Sequence, residues 1–144
     1  MSRVHWVATL SRVFCGVVFI MHGYPKIMNL AGTSTFFAEN FGVPGWVAIP
    51  IAILEFFGGI LLVAGFATRI LTLAFILEML GAMVFVHFAK GWDVFQGGYE
   101  YNLALIILLL AVFLLGSGPL SVDGRISRAR GTDGALGERG SVET

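Results

Sequence analysis

A chain of 144 residues that is 57% hydrophobic and only 12% charged has about half the charged fraction of an ordinary soluble domain. Its length suits one domain, and its mean hydropathy of +0.87 requires that lipid solvate much of its apolar surface. Nine basic residues balance nine acidic ones, which argues against nucleic acid as a partner because that function needs a basic surface.

Four apolar segments are long enough to cross a bilayer as helices, which takes roughly 17 to 25 residues. They run from residue 4 or 13 to 28, from 43 to 65, from 70 to 88 and from 99 to 115. The first is interpreted as a retained span rather than a signal peptide, because His5 and Arg12 interrupt it and no small-residue cleavage site follows. Arg12 is expected to extend to the nearer membrane interface.

These segments predict an all-α fold, an integral membrane four-helix bundle with antiparallel spans. Arg3, Arg69 and the arginines beyond residue 123 fall at one end of such a bundle, whereas Lys26 and Lys90 fall at the other. The positive-inside rule then places both termini and the Arg69 hairpin in the cytoplasm.

Two further regions lie outside the predicted spans. Residues 33–41 are expected to form a short helix on the outer surface, capped by Thr33 or Ser34. Residues 1–123 are predicted to form the transmembrane domain. Residues 124–144 are polar in composition and are predicted to be a disordered cytoplasmic tail.

Several ionisable residues lie within the spans, where each costs about 2.5–3.5 kcal/mol on insertion scales. Glu55 and Glu78 are the deepest, at similar depths of about 12–13 Å below the outer interface. The polar residues above them are His22, Lys26, His87, Glu100 and Asn102. Together these groups predict a vestibule that opens toward the outer face, with the two carboxyl groups as its floor. The alternative is a structural hydrogen-bonded network that fixes the register of the helices.

Residue spacing indicates which side chains share a helix face. His22 and Lys26 are four residues apart and share one, provided that Pro25 does not bend the segment too far. Glu78 and His87 are nine residues apart, about 180° around a regular helix, so His87 reaches the vestibule only through a local break in the helix; otherwise it belongs to the rim.

Small residues within the spans are interpreted as packing positions. Gly58 and Gly59 share a face with Glu55 and predict close approach of a neighbouring helix. Cys15 is the single cysteine, which excludes an intrachain dithiol mechanism and favours a small core residue. No metal site is predicted, and haem is not expected because only one pair of histidines on different spans is available to bind it.

A series of short motifs runs through the four segments in a fixed order. They are His22-Gly23 with Lys26, Leu54-Glu55 with Gly58-Gly59, Gly65 followed by Ala67-Thr68-Arg69, Glu78, the run from Gly97 to Asn102, and the run from Gly116 to Asp123. This series resembles the DoxX family of small four-helix bacterial membrane proteins, over residues 12–123. The resemblance implies a plasma-membrane protein linked to redox chemistry and similar to the membrane subunit of thiosulfate:quinone oxidoreductase. The positions that it carries over are His22, Lys26, Glu55, Glu78, Glu100 and Asn102.

The leading functional hypothesis is a membrane subunit of a quinone-linked oxidoreductase. Its predicted catalytic residues are Glu55, Glu78 and His22, and its predicted quinone-binding residues are His22, Lys26, Glu100 and Asn102. Electrons must come from a redox partner subunit, because the chain has no flavin or dinucleotide fingerprint and no cysteine cluster. A non-catalytic scaffold for a redox complex is the alternative, followed by a small proton or solute pathway, which would require a homo-oligomer.

Overall fold

The computed structural model describes residues 3–129, and every regular element in that range is helical. Three helices are long and apolar enough to cross a membrane: α1 (Arg3–Met28), α3 (Gly45–Ala64) and α4 (Thr68–Lys90). Helix α2 (Leu30–Phe41) connects α1 to α3, and α5 (Glu100–Leu115) is a shorter apolar helix of 16 residues. Each predicted apolar segment is therefore a helix, with ends within a few residues of those predicted.

The helices pack as a bundle in which α1 contacts both α3 and α5, and α5 also contacts α4. Their buried apolar side chains form one core, which contains Cys15, Phe19, Leu62, Phe75, Met79, Leu105 and Leu109. The rings of Phe19 and Phe75 stack within it, with centroids 3.7 Å apart. Cys15 is completely buried, which confirms its prediction as a core residue.

Helices α1 and α3 approach closely because both carry glycine at their crossing. A Cβ atom added to Gly59 would lie 2.9 Å from the carbonyl oxygen of Gly16, and one added to Gly16 would lie 2.8 Å from that of Gly59. A larger residue at either position would force the two backbones apart. The prediction that the glycines beside Glu55 serve helix packing is confirmed.

Arg12 does not extend to the membrane interface, which corrects the prediction from sequence. It is 1% exposed, and its guanidinium group donates hydrogen bonds to the carbonyl oxygens of Leu62 (2.7 Å), Val63 (2.5 Å) and Leu120 (2.8 Å). Carbonyl groups in the last turn of a helix have no partner within that helix, and the helix dipole makes this end attractive to a cation. Arg12 therefore caps the C-terminal end of α3.

Asp123 caps the beginning of α4 at the same end of the bundle. Its two carboxylate oxygens accept hydrogen bonds from the backbone N–H groups of Ala67 and Thr68, both at 2.9 Å. Its own N–H donates to the carbonyl oxygen of Gly65, so the α3–α4 turn is held from both sides. We call this end of the bundle, with Arg12, Gly65 and Asp123, the arginine end.

Two predicted boundaries need correction. Helix α2 begins earlier than expected and is capped by Asn29, whose side chain accepts a hydrogen bond from the N–H of Gly32, rather than by Thr33 or Ser34. Residues 122–129 are helical, so regular structure continues past the predicted domain boundary at residue 123 and residues 124–129 are not disordered. The rest of the predicted tail, residues 130–144, lies outside the described residues.

Candidate functional site

A cavity of about 1120 Å³ occupies the end of the bundle opposite the arginine end. Helices α1 to α5 each contribute to its wall, which also includes residues of the α4–α5 connection. Most of the lining is apolar, and the polar and ionisable residues in it are His22, Lys26, Asn29, Thr33, Glu55, Glu78, His87, Tyr101 and Asn102. An apolar cavity with a few converging polar groups is the usual form of a small-molecule site.

Lys26 and Glu55 form an ion pair between α1 and α3 in the wall of this cavity. The Lys26 ammonium group donates a hydrogen bond to Oε2 of Glu55, whose side chain is 4% exposed, while that of Lys26 is 25% exposed. The two helices can approach here because α1 has glycine at residue 23, where an added Cβ would lie 2.8 Å from Cβ of Glu55. The His22-Gly23 and Lys26 motif therefore brings a cation to the buried carboxylate.

Glu78 of α4 places a second carboxyl group beside this ion pair. It lies close enough to interact electrostatically with both Glu55 and Lys26. Oε2 of Glu78 is buried and has no hydrogen-bond partner, an arrangement that costs about 1–3 kcal/mol when nothing compensates it. This atom is a free bonding position for a ligand.

Two π-helical segments position the ionisable residues of the site. Glu55 lies in the first, Leu54–Gly58, and His87 ends the second, Met83–His87. A π-helical turn contains an extra residue and rotates the side chains that follow it, and such turns occur frequently at functional sites. The second segment explains why Glu78 and His87 both line the cavity, and it confirms that His87 reaches the site through a local break in the helix.

The two histidines in the wall have the same arrangement. Nδ1 of His22 lies 2.8 Å from the carbonyl oxygen of Val18, and Nδ1 of His87 lies 2.6 Å from that of Gly97. A carbonyl oxygen only accepts hydrogen bonds, so Nδ1 is the protonated nitrogen of each ring. In the neutral rings Nε2 is then an acceptor.

The structure separates Asn102 from Glu100, which were predicted together. Asn102 is buried in the cavity wall, where its amide donates to the sulfur of Met79 at 3.7 Å. Glu100 does not line the cavity, because its Oε1 accepts a hydrogen bond from the N–H of Val94 at 3.0 Å and holds the chain before α5. Glu100 thus has a local structural contact, and its predicted vestibule position is corrected.

The connection between α4 and α5 is a compact turn built on glycine. The N–H of Gly98 donates to the carbonyl oxygen of Asp93 at 2.7 Å, and that of Tyr99 donates to Gly91 at 3.0 Å. A Cβ atom on Gly98 would lie 2.5 Å from the backbone of Trp92, so only glycine allows this approach. The turn carries Tyr101 into the cavity wall next to Asn102.

Sequence reasoning missed three polar residues of the wall, which are Asn29, Thr33 and Tyr101. Tyr101 adjoins Asn102 in sequence, and this was the available signal. Asn29 and Thr33 belong to the cavity because α2 folds over it, which no local pattern reveals. Within residues 3–129, no group of three or more His, Cys, Asp or Glu side chains is arranged to hold a metal ion.

Helices of membrane-spanning length around an internal charged site define a helical membrane protein. The family model described as DoxX matches residues 7–88, and this chain belongs to the DoxX family. The resemblance found in the sequence motifs is thereby confirmed.

Three curated relatives extend this comparison. "Putative oxidoreductase CatD" of Bacillus subtilis is 35% identical over 114 residues, which cover 79% of this chain and 82% of the relative. Inner membrane protein YphA of Escherichia coli is 32% identical over 124 residues, 81% of this chain and 87% of the relative. Inner membrane protein YqjF of the same organism is 33% identical over 128 residues, which cover 85% of this chain and 95% of the relative. No solved structure matches the chain.

Proposed function

We propose that this chain is a membrane subunit of a quinone-linked oxidoreductase and that its cavity binds the quinone head group. The observation that carries the proposal is the buried, unpartnered Oε2 atom of Glu78 beside the Lys26–Glu55 ion pair. The relative CatD is named "Putative oxidoreductase", and this name supports the same class of reaction.

The chemistry of the cavity wall fits a quinone. A quinone ring is apolar on its faces and presents carbonyl oxygens that accept hydrogen bonds. The Lys26 ammonium group is a donor, the Glu78 carboxyl group is a donor in its protonated form, and the surrounding wall is apolar. The cavity volume of about 1120 Å³ is ample for such a ring.

Each polar residue has a distinct part in this proposal. The quinone supplies a carrier for two electrons and two protons, and a redox partner subunit supplies the electrons. Glu78 exchanges a proton at its free Oε2 atom, while Lys26 stabilises the negative charge left on the carboxyl pair. Nε2 of His22 is an acceptor in the wall and can receive a hydrogen bond from a hydroxyl group of the reduced quinone.

We further propose that the chain lies in a bacterial inner membrane, that α5 crosses with the three longer helices, and that the arginine end faces the cytoplasm. Arg3, Arg69 and Arg125 belong to that end, whereas Lys90 belongs to the cavity end. Lys26 is paired with Glu55 and therefore adds little net charge to the cavity end. Two relatives are named as inner membrane proteins.

Titration of the purified protein with a chain-free benzoquinone tests the proposal. Binding is measured by tryptophan fluorescence and by the shift in thermal stability, for the parent and for the Glu78→Gln and Glu100→Gln variants. Glu78→Gln should weaken binding about tenfold, because an amide N–H is a weaker hydrogen-bond donor to the quinone oxygen than the O–H of a protonated carboxyl group. Glu100→Gln is the matched control and should bind like the parent, since Glu100 does not line the cavity.

The same titration separates a catalytic subunit from a scaffold. A scaffold needs no ligand in the cavity, so the parent protein would show no response to the quinone. It would also keep full activity in its native complex when Glu78 is changed to Gln. Either result would contradict the proposed quinone site.

A further inference from the structure

The polar groups occupy only part of the cavity. Lys26, Glu55 and Glu78 meet where α1, α3 and α4 converge, and the space beyond them is bounded largely by apolar side chains. These include Phe36, Phe37, Phe41, Val47, Val86 and Val94. The volume of about 1120 Å³ exceeds the roughly 300–1,000 Å³ of ordinary small-molecule sites, so a single ring at Glu78 leaves much of this apolar space unfilled.

Helix α2 forms one wall of this apolar space. Phe37 is buried, 9% exposed, and Phe36 and Phe41 both line the cavity, with ring centroids 5.2 Å apart. Phe36 is nevertheless 50% exposed. Phe85 of α4, which also lines the cavity, is 68% exposed. The apolar space is therefore open along α2 and α4, where the surface of a membrane protein meets lipid.

We propose that this apolar space binds the hydrocarbon chain of a lipid-soluble ligand whose polar head lies at Glu78. The inference rests on the proposed quinone site for the identity of the head, and it adds that the ligand is a lipid with a long chain. Water in such a space would be unfavourable, because it would hydrate apolar surface on nearly every side. A chain continuous with the bound head fills the same space with favourable contacts.

The test compares two benzoquinones with the same ring, one without a side chain and one with a decyl chain. The affinity of each is measured for the parent and for variants in identical detergent micelles. Partition of the decyl compound into the micelles is the same for every variant, so it cancels when the ratio of the two affinities is compared between proteins.

Phe37→Ala should lower the ratio of decyl to chain-free affinity about tenfold, because it removes an apolar wall from the chain and leaves the head site intact. Phe36→Ala should lower it in the same direction. Phe36 is half-exposed, so this second variant keeps the test valid if Phe37→Ala does not fold. The matched control is Phe95→Ala, since Phe95 is 96% exposed and does not line the cavity.

The outcomes distinguish this inference from the function on which it rests. An affinity ratio that stays at the parent value in the Phe36 and Phe37 variants would overturn the chain site, even with normal binding of the chain-free compound. Chain-free binding that does not depend on Glu78 would instead contradict the quinone site. A ratio that falls equally in the Phe95 variant would also overturn the chain site, because the effect would not be specific to the cavity.

Discussion

Arg12 and Glu55 are the two charged residues that are almost completely buried in the described part of the chain, at 1% and 3% exposure. Arg12 donates to the carbonyl oxygens of Leu62 and Val63 in the last turn of α3 and to that of Leu120 after α5, so its partners are all backbone groups, although its Nε has no partner. Glu55 instead meets Lys26 and a second carboxyl group in the wall of a cavity. Both residues are buried, so it is the type of partner that distinguishes Arg12, which has a structural contact, from Glu55, which lies in the candidate site.

The Lys26→Met variant should lose about 3 kcal/mol or more of its free energy of unfolding. Removing the lysine leaves Glu55 buried without its counter-ion and next to Glu78, and breaking a buried pair from one side is strongly destabilising. The free energy is measured by titration with sodium dodecyl sulfate. The double variant Lys26→Met, Glu55→Gln should recover most of the loss, and equal losses in both proteins would show that the pair is not coupled.

The sequence predicted which polar residues line the cavity better than it predicted the contacts that they make. Glu55, Glu78, His22, Lys26, His87 and Asn102 stand out as polar groups in apolar spans, and all of them line the cavity. Arg12 and Glu100 stand out in the same way, yet their partners are backbone groups. For Arg12 these partners lie 50 to 108 residues away, so hydropathy could not distinguish a cap from an interfacial side chain.

At the level of elements, each helix in the structure ends at a specific residue, whereas apolar composition locates that end only to within a few residues. The predicted second segment, residues 43–65, corresponds to Gly45–Ala64, and the third, residues 70–88, corresponds to Thr68–Lys90. The two π-helical segments had no comparable signal. Only the requirement that Glu78 and His87 share one site pointed to an irregular turn between them.

Asp123→Ala should reduce the free energy of unfolding by about 1–2 kcal/mol. The carboxylate accepts two N–H groups at the start of α4 and interacts favourably with the helix dipole. Hydrogen exchange should accelerate at the amides of Ala67 and Thr68. Asp93→Ala is the control, since Asp93 accepts one N–H in an exposed turn, and a loss of similar size there would argue against a special contribution of Asp123.

A pair of glycine substitutions tests the close crossing of α1 and α3. Gly59→Ala should destabilise the protein, because its Cβ would lie 2.9 Å from the carbonyl oxygen of Gly16. Gly81→Ala should be neutral or stabilise the protein by up to about 1 kcal/mol, because a Cβ there meets nothing within 4 Å and alanine favours the helix. Thermal unfolding in detergent measures both, and similar stabilities of the two variants would contradict the crossing.

At the scale of the whole molecule, the bundle formed by residues 3–129 has one open end and one closed end. The cavity is lined by residues 18–26 of α1, 47–55 of α3, 74–87 of α4 and 101–105 of α5, all in the same half of the bundle. Beyond these residues, Leu62, Leu109 and Val112 are completely buried, and the Arg12 and Asp123 contacts close the arginine end. This difference between the ends arises from packing between helices, so no single segment of sequence predicts it.

Cysteine labelling tests this asymmetry. Gly81 lies in the cavity wall with open space around its Cα, so Gly81→Cys should react with a membrane-impermeant maleimide only from the side of α2 and residues 91–99. Ser127→Cys, which is exposed at the arginine end, should react only from the opposite side. The native Cys15 is completely buried and should stay unmodified. Labelling of residue 81 from both sides would disprove the closed half.

The closed half also determines from which side of the membrane protons can reach the cavity. Under the proposed function, a proton exchanged at Glu78 enters or leaves through the cavity, so it comes from the one compartment onto which the cavity opens. A partner that delivers electrons from that same compartment would make the reaction electrically neutral across the membrane. With the arginine end in the cytoplasm, a partner on that side would send electrons outward to meet those protons, and each turnover would lower an inside-negative membrane potential.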